Sequence, residues 1–158
     1  AYLAEHYGCA VFHMDDFFLP PEKRTAERLA QPGGNVDYER FLAEVLDKLP
    51  LQKALGYRAW DCHAQRLEPR IAPPGRLTII EGAYALHPAF AARYGALEPI
   101  CALVDVEPAV QLSRLTRRDP ELLPRFQNEW IPLEKAYFEA YHIGERVRFR
   151  LRMGEGEP

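Results

Sequence analysis

The chain has little sulfur, a single serine, no long apolar run and no excess of positive charge, and each shortage removes a class of function. Cys9, Cys62 and Cys101 are odd in number and far apart, which suits reduced thiols better than a disulfide framework. Two of the three sit in strand-like runs, where a structural, buried cysteine is expected. Ser113 lies outside any Gly-x-Ser-x-Gly turn, which argues against a serine hydrolase. Cys62-His63 makes neither a thiol nucleophile nor a zinc site, because adjacent residues point apart and no second Cys/His pair has metal spacing. No run approaches the roughly 20 apolar residues of a membrane span. The opening Ala1-Tyr2-Leu3-Ala4-Glu5-His6 lacks the basic and apolar regions of a signal peptide, so a cytoplasmic protein without a membrane partner is expected. The 20 Lys and Arg against 23 Asp and Glu leave a formal charge of -3, which offers no bulk attraction to nucleic acid.

What is present is the composition of one globular domain. With 158 residues, 47% hydrophobic and 27% charged, the chain is long enough to bury a core, and a single domain over 1–158 is expected. Its most informative pattern is three short apolar runs that each end on a carboxylate. Cys9 to Met14 runs into Asp15 and Asp16, Leu77 to Ile80 into Glu81-Gly82, and Pro99 to Val104 into Asp105. A parallel α/β sheet places its ligand site outside the carboxyl ends of its strands, so acidic residues there are the first candidates for metal-assisted or base-assisted chemistry.

Between these runs the elements alternate. Residues 1–7 suit the end of a helix that stops at Gly8. Residues 17–36 form a long excursion rich in proline, charge and glycine, suited to a substrate loop. Asp37 is an N-cap for a helix in which Phe41, Leu42, Val45, Leu46 and Leu49 share a face, and Pro50 ends it. Residues 51–76 read as an irregular or hairpin-like insertion. Pro88 and Gly95 delimit a short helix, Ile100 to Val104 a strand, and Pro108 opens a helix that ends at Asp119-Pro120. From Leu122 to about Tyr141, Phe126, Trp130, Leu133, Tyr137, Phe138 and Tyr141 keep a helical stripe suited to the core, with a kink at Pro132. At the end Val147, Phe149 and Leu151 alternate with Arg146, Arg148, Arg150 and Arg152, the period of a half-buried strand whose charged face reads as a solvated edge ahead of a phosphate-binding patch.

Four blocks in order carry a resemblance: Val11-Phe12-His13-Met14-Asp15-Asp16-Phe17-Phe18, Pro32-Gly33-Gly34-Asn35-Val36-Asp37, Ile79-Ile80-Glu81-Gly82-Ala83-Tyr84, and Arg125-Phe126 through Glu129-Trp130-Ile131-Pro132-Leu133-Glu134. Together they resemble the bacterial uridine kinase-like proteins of the P-loop nucleoside kinase and phosphoribulokinase group. The resemblance implies a three-layer α/β/α fold with a mainly parallel sheet and phosphorylation of a hydroxyl by ATP with Mg2+. One family element is absent: none of the ten glycines is followed by lysine, so no Gly-x-x-x-x-Gly-Lys-Ser/Thr loop cradles phosphates. The first strand and that loop are expected to precede Ala1 in the parent protein; the competing expectation is a chain that lacks the loop and serves as a nucleotide-sensing or interaction module.

The resemblance also assigns roles. It implies that Asp15 accepts the proton of the acceptor hydroxyl, with Asp16 as its neighbouring competitor, and that Glu81 lies near the magnesium and acts on it indirectly. Arg114, Arg117, Arg118 and Arg125 fall in the region, about 114–126, that resembles the mobile lid, where a guanidinium fork suits phosphate oxygens. Arg118 is expected to act in catalysis and the other three in nucleotide binding. Phe17, Asp37, Tyr57, Trp60, Asp61 and Glu129 fall in segments similar to those that contact the nucleoside; for Phe17, Asp37 and Tyr57 packing or capping is the equal alternative. Trp60 stands for an expected tyrosine, Gln65 near an expected histidine and Glu129 near an expected glutamine, so the resemblance does not extend to pyrimidine specificity. The implied partner is a small-molecule acceptor, a nucleoside first and pantothenate or a sugar phosphate as alternatives, with a homo-oligomer left open.

Overall fold

The computed structural model describes residues 6–154 and divides the chain into two compact units, Ala1–Leu97 and Glu98–Pro158. Of the expected opening helix only His6 and Tyr7 lie within the described residues; both are helical, and Gly8 follows with φ 60°, the left-handed conformation that closes helices.

In the first unit β1 (Cys9–His13) pairs in parallel with β4 (Leu77–Glu81), in a register that runs from Cys9 opposite Leu77 to His13 opposite Glu81. Both strands therefore end at the same level. Directly after β1 the chain tightens into a 3-10 turn, Met14–Phe17, and Gly82 follows β4 at φ 123°. A Cβ on Gly82 would stand 2.9 Å from Met14 Cβ, so glycine lets the two strand ends lie against each other. The excursion that follows is tied at its base: Asp37 donates its N–H to Phe17 O at 2.7 Å and Leu19 donates to Asn35 O at 2.8 Å. Inside it Arg28 donates to Gly34 O, Val36 O, Tyr38 Oη and both Glu39 oxygens at 2.7–3.0 Å, which closes a loop with little apolar content of its own.

Asp37 caps the expected helix, accepting from Arg40 N at 3.2 Å. The helix is regular over Tyr38–Phe41 and widens to a π turn over Leu42–Leu46, which brings Phe41, Val45 and Leu46 inward together. Phe17 packs edge-on to Phe41 at 4.9 Å, Phe41 meets Phe90 at 4.9 Å, and these rings with Phe12, Met14, Leu19 and Val36 form the buried centre of the unit. The insertion at 51–76 is a hairpin: β2 (Leu55–Asp61) pairs antiparallel with β3 (Arg66–Ala72). The helix after Pro88 continues through Gly95 to Leu97, correcting the expected stop; the left-handed residue that follows is Glu98, φ 48°.

In the second unit β5 occupies Ala102–Val106, two residues later than expected, and pairs in parallel with β6 (Phe149–Met153). Asp105 therefore lies inside the strand, opposite Arg152, because the ladder begins where β6 offers a partner and runs almost to Pro108. The helix Pro108–Arg118 ends at Asp119-Pro120 as its breakers predict. The long stripe is not one kinked helix but a π turn, Phe126–Trp130, followed by the helix Ile131–Ala140. Ile131 N–H reaches back five residues to Phe126 O, and Pro132 has no N–H with which to restore the regular ladder. Tyr137 alone of the stripe's aromatics is buried, and Phe149 and Leu151 of β6 are about half exposed, so the apolar face expected to be covered is open in this unit.

Candidate active site

The parallel register of β1 and β4 brings His13 and Glu81 side by side at the carboxyl ends of the strands, and His13 Nδ1 pairs with Glu81 Oε1. Asp15 and Asp16 begin the turn just beyond. The two carboxylates part, as adjacent side chains do: Asp15 is exposed, and Asp16 is buried. Asp16 accepts from Tyr57 Oη at 2.9 Å, and Arg70 Nη1 stands 2.9 Å from its Oδ1 and 3.0 Å from its Oδ2. The turn's backbone is held as well. Arg40, itself buried, donates to Asp16 O at 3.2 Å, to Phe18 O at 3.3 Å and to Arg58 O.

Arg40 also meets Asp37, with Nε 3.3 Å from Oδ2, and Lys23 Nζ approaches the same oxygen at 3.0 Å. Asp37 is 1% exposed, so its carboxylate serves as helix cap and as the counter-charge of a buried guanidinium. Burial pushes the Arg40 pKa down against the pull of Asp37. Phe17 is fully buried, stacked on Tyr57 at 5.5 Å with Arg40 4.7 Å above its ring.

The hairpin register sorts the remaining candidates. Tyr57 opposite Arg70 and Asp61 opposite Arg66 belong to one face, while Trp60 opposite Leu67 belongs to the other. Asp61 is bound at the hairpin tip, where its Oδ1 accepts from His63 N at 2.7 Å and Ala64 N at 2.8 Å; these backbone donors, Ala64 first, lower its pKa. Trp60 is buried, and Cys62 is an exposed free thiol. Thus Asp15, Asp16, Phe17, Asp37, Tyr57 and Glu81 gather around the β1 and β4 ends or the turn between, with Trp60 turned from Tyr57 and Asp61.

The second unit carries the arginines. Arg118 Nε meets Asp119 Oδ2 at 2.5 Å, Arg125 Nε donates to Glu129 Oε2 at 3.2 Å and lies 4.6 Å over the Trp130 ring, and Arg114 Nη2 donates to Gly154 O at 3.3 Å. Arg117 is exposed in the last turn of the same helix. The ends of β5 and β6 enclose a cleft of about 210 Å³ lined by Asp105, Glu107, Pro108, Arg152 and their neighbours. Three participants escaped the sequence reading: His13, Arg40 and Arg70. The signal for Arg70 was within reach, since a tight turn at residues 62–65 sets it opposite Tyr57; nothing local marks Arg40 as buried.

Tyr57 supplies a pH test of this network. Burial first, and the Asp16 carboxylate second, push its phenol from 10.0 up to about 12. The folded state favours the neutral phenol, so this stabilisation is complete below pH 10 and is lost as the pH rises through the folded pKa. Tyr57→Phe is expected to show a shallower loss of stability between about pH 10 and 12. Denaturant midpoints measured on both proteins check this, and parallel curves would contradict it.

No family model matches the chain, and no curated protein does. Among solved structures it is similar to "Structure of a Possible Uridine Kinase from Bacillus stearothermophilus", at 19% identity and a TM-score of 0.61, over 90% of this chain and 71% of that one. The two share a fold. This chain is accordingly a mixed α/β protein that shares that structure's fold, built on two parallel strand pairs and an antiparallel hairpin with flanking helices. Among the described residues no helix is long and apolar enough to cross a membrane.

Proposed function

We propose that this chain belongs to an enzyme that transfers the γ-phosphate of ATP to a hydroxyl of a nucleoside or a similar small metabolite. The observation that carries the reading is the parallel β1–β4 register, which sets an exposed Asp15 beyond the strand end shared by His13 and Glu81, in a fold common to a possible uridine kinase. In the proposed step the acceptor oxygen attacks the γ-phosphorus, the new O–P bond forms as the bond to the ADP oxygen breaks, and the hydroxyl proton passes to Asp15. Little covalent work falls to the protein, so positioning and charge dominate.

Magnesium is a hard cation commonly held by one or two carboxylates together with phosphate oxygens and water. Among the described residues no three His, Cys, Asp or Glu side chains converge into a cage, and the half-exposed Glu81 suits indirect, water-mediated contact. When bound, the ion would neutralise charge on the transferring phosphoryl group. Arg114, Arg117, Arg118 and Arg125 offer guanidinium forks for the nucleotide phosphates.

A panel of hydroxyl-bearing metabolites, assayed for ADP formation with the natural protein, tests the acceptor. A ribonucleoside is expected to be a substrate and its deoxy analogue much poorer, because a site that hydrogen-bonds a hydroxyl leaves polar groups unpaired without it. Equal use of both forms, or activity confined to pantothenate or a sugar phosphate, would overturn the nucleoside assignment and keep the kinase.

A further inference from the structure

We propose that Asp16 is a positioning residue, a buried latch that fixes the β2–β3 hairpin against the turn carrying Asp15 and so sets acceptor-binding hairpin and proton acceptor in one register. The inference rests on the kinase reading for its catalytic consequence, but not for its geometry.

Asp16 is separated from Tyr57 by 41 positions and from Arg70 by 54, yet its carboxylate is the meeting point of both. Tyr57 and Arg70 are register partners on one face of the hairpin, so one carboxylate takes a donor from each strand. A hairpin gripped through both strands is restrained against sliding and rotating on the turn, which one bond to one strand would not achieve. Only about a tenth of the Asp16 side chain is exposed, against half of Arg70, so the bonds close over the carboxylate and leave solvent on the arginine side. The latch has a backbone counterpart in Arg40, which joins Asp16 O and Phe18 O to Arg58 O of β2. Asp15, the residue before it and exposed, takes its place from both attachments.

Hydrogen exchange tests the latch without reference to activity. Asp16→Asn removes the negative charge and replaces one oxygen by an NH2 group, which donates and cannot accept, and Arg70→Met removes the half-exposed arm while leaving the buried carboxylate its tyrosine. Each is expected to raise exchange of hairpin amides in 55–61 and 66–72 about tenfold, with β1 and β4 amides unchanged, and the double variant to add little to either. In the natural protein both variants should raise the acceptor KM about tenfold and leave the KM for ATP unaltered. Should Asp16→Asn fail to fold, Arg70→Met carries the test alone. Unchanged hairpin exchange overturns the latch. So does a kcat loss for Asp16→Asn as deep as that of Asp15→Asn at constant KM, which would make Asp16 the proton acceptor. If the unaltered protein phosphorylates no acceptor, the kinase reading falls while the exchange data still decide the latch.

Discussion

Asp15→Asn is expected to lower turnover by about 10²–10⁴-fold in the natural protein while leaving ATP affinity nearly unchanged. The magnitude is that of a lost general base, and the selectivity follows from where the group stands. Asp15 is exposed just beyond β1, in the first turn after the strand, where an acceptor hydroxyl can reach it. Asn keeps the size and one acceptor oxygen but takes no proton, so the substrate still binds and the barrier rises. Steady-state kinetics with both substrates varied check this; a rise in the KM for ATP with kcat preserved would place Asp15 on the nucleotide side. Asp16→Asn should act differently, because that carboxylate is already bound by Tyr57 and Arg70.

Asp37→Ala is expected to cost about 3–5 kcal/mol of stability, the range seen when one partner of a buried ion pair is removed. Asp37 and Arg40 are 1% and 5% exposed, and the guanidinium left behind would lose its bonded carboxylate and face Lys23 and several carbonyls, with Glu44 the remaining acidic neighbour. Loss of the helix cap adds about 1 kcal/mol in the same direction. Asp37→Asn retains a capping oxygen and should lose less. Urea midpoints at fixed slope measure the difference. A stable Asp37→Ala protein with only a raised acceptor KM would show that the buried pair contributes little and that the carboxylate serves the ligand.

These two aspartates show what is legible in a sequence. Asp37 as a cap, β1 and β4, and the Pro108 helix all follow from residues a few positions apart, because caps, breakers and short apolar runs act locally. Which of Asp15 and Asp16 is the buried one does not, since it depends on partners 41 and 54 positions away. β5 shifted by two residues for a similar reason: the partner strand, not the apolar run, decides where a ladder begins. Phe149 and Leu151 alternate as a half-buried strand should, but burial depends on what packs against the sheet, and both side chains stay about half exposed. Tyr57 and Trp60, both set by the resemblance among nucleoside-contacting segments, are parted by the period of two along β2.

The most direct test of the account is to follow label from the γ-phosphate of ATP in the natural protein, with magnesium and uridine, beside the Asp15→Asn variant. The account predicts label on the nucleoside, made by the unaltered protein and nearly abolished in the variant. Label that stays on ATP or appears only as inorganic phosphate with uridine and every other hydroxyl acceptor, or that transfers equally well without the Asp15 carboxylate, would contradict it.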